Sequence, residues 1–178
     1  ALSLGRFSTL AALGKLLPRH GERVRELLIA VVEDDAESIE VRRRALESMA
    51  VFNEGNIPRL IQDAYDSDDE TMRLSAVYAM GLTCDTTWLP TIFSELNSND
   101  PALRYEAANA CGEMGEEEAV PYLISLLEDE DMQVQLSSIR ALGALGGRPA
   151  ARALQRCLQS DEEALREAVE AALEQMEA

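Results

Sequence analysis

The sequence is poor in the residues that most chemistry requires. It has one histidine, His20, and one lysine, Lys15, beside fifteen arginines. A single imidazole cannot build a multi-histidine metal site. Three cysteines, Cys84, Cys111 and Cys157, are odd in number and fit no metal-ligand spacing. With no signal-peptide pattern before them, they point to a reducing, cytoplasmic setting. Aromatic residues make up only 4% of the chain, and runs of alternating β-branched residues are missing, which argues against a sheet. No apolar run approaches the roughly 18 residues that a membrane helix needs. Positive charge is scarce as well: 16 Lys and Arg face 33 Asp and Glu, for a formal net charge of −17. Such a surface repels phosphate backbones and anionic membranes, so neither nucleic acid nor membrane is expected as a partner.

What is present is alanine, leucine and carboxylate. Hydrophobic residues form 47% of 178, enough for the core of one domain, and the mixture suits helices packed closely through small side chains. The sequence also repeats itself. Arg73-Leu-Ser-Ala-Val-Tyr-Ala-Met-Gly81 aligns with Arg104 through Gly112, then with Gln135 through Gly143 and with Arg166 through Glu174, each 31 residues on. Upstream, Arg42, Ala45 and Ala50 take the same places, and so, five residues out of step, do Arg6, Thr9, Ala12 and Gly14. Six copies of one pattern are therefore present.

A second helix follows each of the first five copies. Val120, Leu123, Ile124 and Leu127 mark an apolar stripe at i, i+3, i+4, i+7. Leu89, Ile92, Phe93 and Leu96 do the same, as do Ile57, Leu60, Ile61 and Ala64, and Val24, Leu27, Leu28 and Val31. In the fifth copy Ala151, Leu154 and Leu158 hold these places, and Gln155 interrupts them, which predicts a thinner core there. Each unit is thus a helix A, a short turn and a helix B. Asp69, Asp100 and Asp131 are expected as N-caps, with Pro101 at the first helical position. Asp69–Arg73 and Asp100–Arg104 offer i, i+4 ion pairs. Gly115, Gly146, Asn53 and Cys84 fall where the chain must turn left-handed after A.

Gly14, Ala50, Gly81, Gly112 and Gly143 form a column of small residues inside the A helices. Glycine costs about 1 kcal/mol there relative to alanine, so a close crossing by helix B is expected. Glu174 occupies that column in the sixth copy and would obstruct the crossing. The sixth A helix is accordingly expected to close the stack without a B partner, its other acidic residues facing solvent. Deleting residues 161–178 is then expected to melt or aggregate the protein.

The pattern Asp100-Pro-Ala-Leu-Arg104-x-x-Ala107-x-x-Ala110-x-Gly112, followed by Gly115-Glu-Glu-Glu-Ala-Val-Pro-Tyr-Leu-Ile-Ser-Leu-Leu127, resembles the HEAT-like repeat of phycobilisome lyases. The resemblance spans nearly the whole chain and is strongest over residues 69–147. It implies an all-α fold, a right-handed α-α superhelix or HEAT-like solenoid of five helix pairs plus a C-terminal capping helix. The whole is expected as one domain, with units near 1–35, 36–67, 68–99, 100–130 and 131–160 and a cap over 161–178. Proteins with such repeats include scaffolds, adaptors, lyase subunits, a hydroxylase and DNA-repair enzymes. The hydroxylase branch holds iron through several His-Glu pairs, whereas here His20, expected in the turn between the first two helices, is followed by Gly21. The repair branch uses a basic groove, whereas here acidic runs (Glu33–Asp35, Asp66–Glu70, Glu128–Asp131 and Asp161–Glu163) fall between units and are expected to line one negative rim. Cys111 sits at a core position and Cys157 at a half-exposed one, with no base near either.

The expected role is therefore a non-enzymatic protein-binding scaffold with no catalytic residues, no metal and no cofactor, either monomeric or weakly self-associating. In such stacks the B helices line the concave side. The residues opposite their core stripes are Arg25, Glu26 and Ile29; Arg59 and Gln62; Thr91 and Ser94; Tyr122 and Ser125; and Arg152 and Arg156. Trp88, Pro121 and Leu126 flank them. With helices about 10 Å apart, five of them would make a groove on the order of 40 Å long, fit for a helix or an extended peptide. Arg148, Arg152 and Arg156 form a basic cluster that could steer an acidic peptide or pair with neighbouring carboxylates. Residues 1–32 carry five basic and two acidic side chains, about +3 against about −20 for the rest, so this end is a second candidate contact surface. Two other roles fit the resemblance: a phycobilisome lyase-like subunit handling a bilin, and a regulatory repeat segment of a larger protein.

Overall fold

The computed structural model describes the backbone of residues 18–177 and the side chains from Gly21 onward. The first copy of helix A, with Arg6, Thr9, Ala12 and Gly14, lies outside the described residues, as does Lys15. Ten α-helices follow: α1 (Pro18–Glu33), α2 (Ile39–Met49), α3 (Ile57–Tyr65), α4 (Glu70–Thr83), α5 (Leu89–Glu95), α6 (Pro101–Met114), α7 (Val120–Ser125), α8 (Met132–Leu145), α9 (Gly147–Cys157) and α10 (Glu163–Glu177). No strand occurs among the described residues. The all-α arrangement of A and B helices read from the sequence is present, with α2, α4, α6, α8 and α10 as A helices and the others as B.

Local chemistry sets the boundaries. Asp100 accepts from the Ala102 amide and Asp131 from those of Gln133 and Val134. Asp69 accepts from the amides of Thr71 and Met72. Each bond satisfies donors that a helix start leaves open, a contribution of about 1 kcal/mol. Ser38 does the same for α2. Pro58, Pro90 and Pro121 stand in the first turns of α3, α5 and α7, where a missing N–H costs nothing. After the A helices, Asn53 at φ 36°, Cys84 at φ 51° and Gly115 at φ 75° take the left-handed turn. Gly146, at φ 71° and ψ −158°, goes beyond it into a region open only to glycine. His20 departs from expectation: Pro18 starts α1, so His20 lies in the first helical turn, not in a connecting turn.

Backbone contacts group the chain into two units, residues 1–79 and 80–178. In the first, the core is built of Leu46, Met49, Ala50, Ile57, Ile61 and Val77, all fully buried. A polar brace joins α2 to α4: Ser75 donates to Glu47 at 2.7 Å, and Arg43 donates to both at 3.2 Å. Glu47 is buried, and these donors, with Arg44 at 3.0 Å, satisfy its carboxylate. Helix α1 does not follow the expected stripe. Val24 and Leu27 are 45% and 60% exposed. Its sheltered residues are Gly21, Arg25, Leu28, Ile29, Val31 and Val32, so the sheltered face includes Leu28 and Val31 of the expected stripe but is turned away from Val24 and Leu27. Both faces share Leu28 and Val31, so periodicity could not choose between them.

In the second unit the A helices α6, α8 and α10 pack on one another in order, and the B helices α5, α7 and α9 cover them. Leu123, Ile139, Leu142 and Leu154 fill the space between. The small-residue column has a different cause from the expected one. A Cβ on Gly81 would stand 2.7 Å from the Ala110 Cα; on Gly112, 3.2 Å from the Ala141 Cα; on Gly143, 2.8 Å from the Ala172 Cβ. The close approach is therefore between successive A helices, Gly against Ala, and helix B takes no part in it. Glu174, in the same column on α10, is exposed.

The arginine column also has a role that intrahelical pairing did not anticipate. Arg104 donates to Asp129 through two bonds of 2.7 and 2.8 Å, and to the Ser98 carbonyl at 2.9 Å. It therefore joins two inter-unit loops instead of pairing with Asp100. Gln135 and Arg166 each reach back six residues, to the carbonyls of Asp129 and Ser160, both at 2.6 Å. Arg42 reaches the Val32 carbonyl at 2.9 Å. Helices α2, α6, α8 and α10 are thus each tied by the second turn to the chain leaving the preceding B helix. Arg73, at the same place on α4, lies over the Tyr65 ring, 5.1 Å from its centroid.

Candidate functional site

The B helices present the residues singled out as partner contacts, and the structure sorts them. In the first unit, Arg25 is half-buried on α1 and pairs with Glu54 at 3.1 Å. Glu26 is exposed and Ile29 half-buried on the same helix. Arg59 is exposed but neutralised by Asp63 one turn on, at 3.6 Å, and Gln62 donates to Asp66 at 3.0 Å. A cleft of about 360 Å³ opens beside them, lined by Val32, Arg42, Asn56, Arg59, Asp63 and Met72 among others. Its mouth mixes charge and apolar carbon without a convergent set of polar groups.

In the second unit, Trp88 and Leu126 are not available. They are 9% and 6% exposed and belong to the core. Trp88 closes the turn from α4 into α5, with its indole N–H buried and unpaired. Leu126 begins the 3₁₀ turn that follows α7 and is buried there. The remaining candidates do reach solvent. Ser94, Pro121, Ser125, Arg152 and Arg156 are exposed, and Thr91 is half-exposed. Tyr122 is 41% exposed and stacks on Phe93, with ring centroids 4.6 Å apart and planes inclined by 22°. Phe93 was expected in the core stripe, and it leans to the surface to make this pair. The stack places α5 and α7 side by side, and α9 lies against α7.

Nothing in this face gathers the groups of a covalent or acid–base catalyst. Burial pushes the Cys111 thiol up to about 12 and raises that of Cys157, opposite to what a nucleophile needs. Cys84 is exposed. Among the described residues no three His, Cys, Asp or Glu side chains are placed to hold a metal ion. The perturbed carboxylates are structural. The Thr71 hydroxyl and the Met72 amide hold Asp69 low, and the Thr87 amide holds Asp85 low. Asp129 is pushed up by burial, but Arg104 and the Asp131 amide outweigh this and leave it below the usual carboxylate range.

Helix pairs with this register, braced A-on-A and open on B, can be set beside known families. The family model described as HEAT repeats matches residues 89–174. Over that stretch the chain is similar to HEAT repeats. Solved structures with the same fold include the complex of CpcE and CpcF of phycocyanin lyase from Nostoc sp. PCC7120. It has 21% identity and a TM-score of 0.62, covering 100% of this chain and 74% of that one. A designed armadillo repeat protein in complex with the peptide (KR)4 follows at 18% identity and TM-score 0.62, over 97% and 91% of the two chains. Human deoxyhypusine hydroxylase in complex with glycerol has 18% identity and TM-score 0.54, over 98% and 80%. At these identities the likeness is one of fold. A comparison with curated proteins finds no match. Among the described residues, no helix is long and apolar enough to cross a membrane.

Proposed function

We propose that this chain is a binding scaffold whose HEAT repeats offer the outer face of their B helices to a protein or peptide partner. One observation carries the reading. The same two register positions are exposed on three successive B helices, as Pro90 and Ser94, Pro121 and Ser125, and Arg152 and Arg156. Between them the core positions Ile92, Leu123 and Leu154 are fully buried. A rigid core thus carries a regular open face, with a stacked aromatic pair on it. A large ring held in place loses little entropy on contact, which favours binding. The designed armadillo protein, which holds a peptide, supports the reading by fold alone.

Photo-crosslinking in cell extract tests this. A crosslinker at Ser125, on α7, is expected to trap a partner, whereas one at Arg140, exposed on α8, is not. Equal capture at both positions, or none at Ser125, rejects the B-helix face. A second reading, a bilin-handling lyase subunit, rests on the fold shared with the phycocyanin lyase complex. Incubation with a bilin and an apo-phycobiliprotein, followed by visible absorbance, decides it: absence of transfer dismisses the lyase role.

A further inference from the structure

The exposed positions of α9 differ from their equivalents in a way that names a ligand. On α3 the two register positions hold Arg59 and Asp63, which neutralise each other at 3.6 Å. On α5 and α7 they hold Pro and Ser, without charge. On α9 they hold Arg152 and Arg156, and Arg148 precedes them by one more turn, so three guanidinium groups share a single stripe. All three are exposed, and among the described residues none is seen in an ion pair, in a chain with twice as many acidic as basic residues. Glu128 and Arg156 both lie near enough to act on the Cys157 thiol. Like charges one turn apart on a helix are unfavourable for folding. Arg156, in the last turn of α9, is favoured by the helix dipole, but Arg148 and Arg152 have no such compensation, so the stripe stands against local stability.

We infer that Arg148, Arg152 and Arg156, together with Tyr122 on its Phe93 backing, dock a short acidic peptide carrying an aromatic side chain. This rests on the B-helix face being the binding surface and adds the class of its partner. The spacings agree. Arginines one turn apart stand about 6 Å from one another along α9. Alternate side chains of an extended peptide lie about 6.5–7 Å apart, so carboxylates at every second residue meet successive guanidinium groups, each able to bind bidentately. The neighbouring helix axis is about 10 Å away, within reach of an aromatic residue lying against Tyr122. A long polyanion is disfavoured by the net charge of −17, whereas a short peptide presents its charge only at the stripe.

Fluorescence anisotropy on the whole chain tests the inference. The probes are a twelve-residue peptide of Glu and Asp with one Trp, its Gln/Asn twin, and a twelve-nucleotide single-stranded DNA. The acidic peptide is expected to bind at least about tenfold more tightly than its neutral twin, and to weaken as salt rises. R152E/R156E should abolish that preference, R152K/R156K should retain most of it, and Y122A should weaken the acidic peptide while sparing its salt dependence. Circular dichroism confirms that each variant is folded. No preference for the acidic peptide, undiminished binding by R152E/R156E, or DNA binding as tight as the peptide overturns the inference. So does sedimentation showing that the arginines serve a second copy of this chain. If crosslinking at Ser125 still traps its partner in R152E/R156E, the acidic ligand is wrong and the binding face stands.

Discussion

At the scale of single residues, the glycine column makes the sharpest claim. Ala in place of Gly inside a helix gains about 1 kcal/mol of propensity. At Gly81 and Gly143 that gain is opposed by contacts of 2.7 and 2.8 Å with the next A helix, and at Gly112 only by contacts of 3.2 Å. Overpacking of this kind costs about 1–3 kcal/mol. Gly81→Ala and Gly143→Ala are therefore expected to lower stability in urea unfolding, with Gly112→Ala close to neutral; equal effects at all three would show that the column does not set the A–A distance. Cys84 offers the converse. It holds φ 51° at a place where Gly115 serves in the next unit. A left-handed non-glycine residue is strained by about 1 kcal/mol, and its thiol makes only distant contacts of 3.8 Å to carbonyls. Cys84→Gly should raise the unfolding midpoint, and a lower one would mean that the thiol contacts outweigh the strain.

Among elements, the A helices are held by polar braces as much as by apolar contact. Arg104 and Asp129 have side chains only 10% and 7% exposed, and together they connect α6 to the loop before α8. Without the Asp129 carboxylate, Arg104 keeps only the longer pair with Glu130 at 3.8 Å, so Asp129→Asn is expected to cost about 2 kcal/mol near neutral pH. The sign with pH follows from the depressed carboxyl. Its folded value lies below the unfolded one near 3.9, so the stabilisation is complete above that pH and is lost as pH falls through the folded value. The gap between wild type and Asp129→Asn should therefore close on acidification from about pH 4 downward and stay constant above it; a gap independent of pH would separate the pair from stability. Removal of residues 161–178 takes away α10, whose Ala172 covers Gly143. Loss of cooperative melting and binding of a hydrophobic dye are expected, and an unchanged midpoint would dismiss α10 as a seal. The helices, caps and left-handed turns were legible because each depends on residues within four or five positions. Which helix faced the glycines was not, since the 31-residue period is the same whether A meets B or the next A. The exit of Trp88 and Leu126 from the candidate face was hidden for a related reason. Both lie in or beside 3₁₀ turns, where three residues per turn rotate a side chain off the α-helical register.

For the molecule as a whole, charge sets the terms on which it is stable and on which it binds. A net charge of −17 repels itself at every separation shorter than the screening length. That length is about 10 Å in 0.1 M salt and about 3 Å in 1 M. Sodium chloride should therefore stabilise the fold by screening the exposed carboxylates, whereas sheltered pairs such as Arg104–Asp129 lose little. The same salt should weaken an acidic peptide at the arginine stripe, so stability and binding are expected to move in opposite directions along one titration. R152E/R156E sharpens the test. It removes two positive charges and adds two negative ones, making the net charge more negative by four without touching a buried residue. At low salt it relieves the repulsion among the arginines of α9 while adding to that of the whole, and only the second effect extends over the molecule. Its unfolding midpoint should rise more steeply with salt than that of the wild type, by a few degrees between about 0.02 and 0.5 M. Parallel slopes would mean that the excess negative charge is already neutralised by bound cations, and that the arginine stripe is no exception to the surface around it.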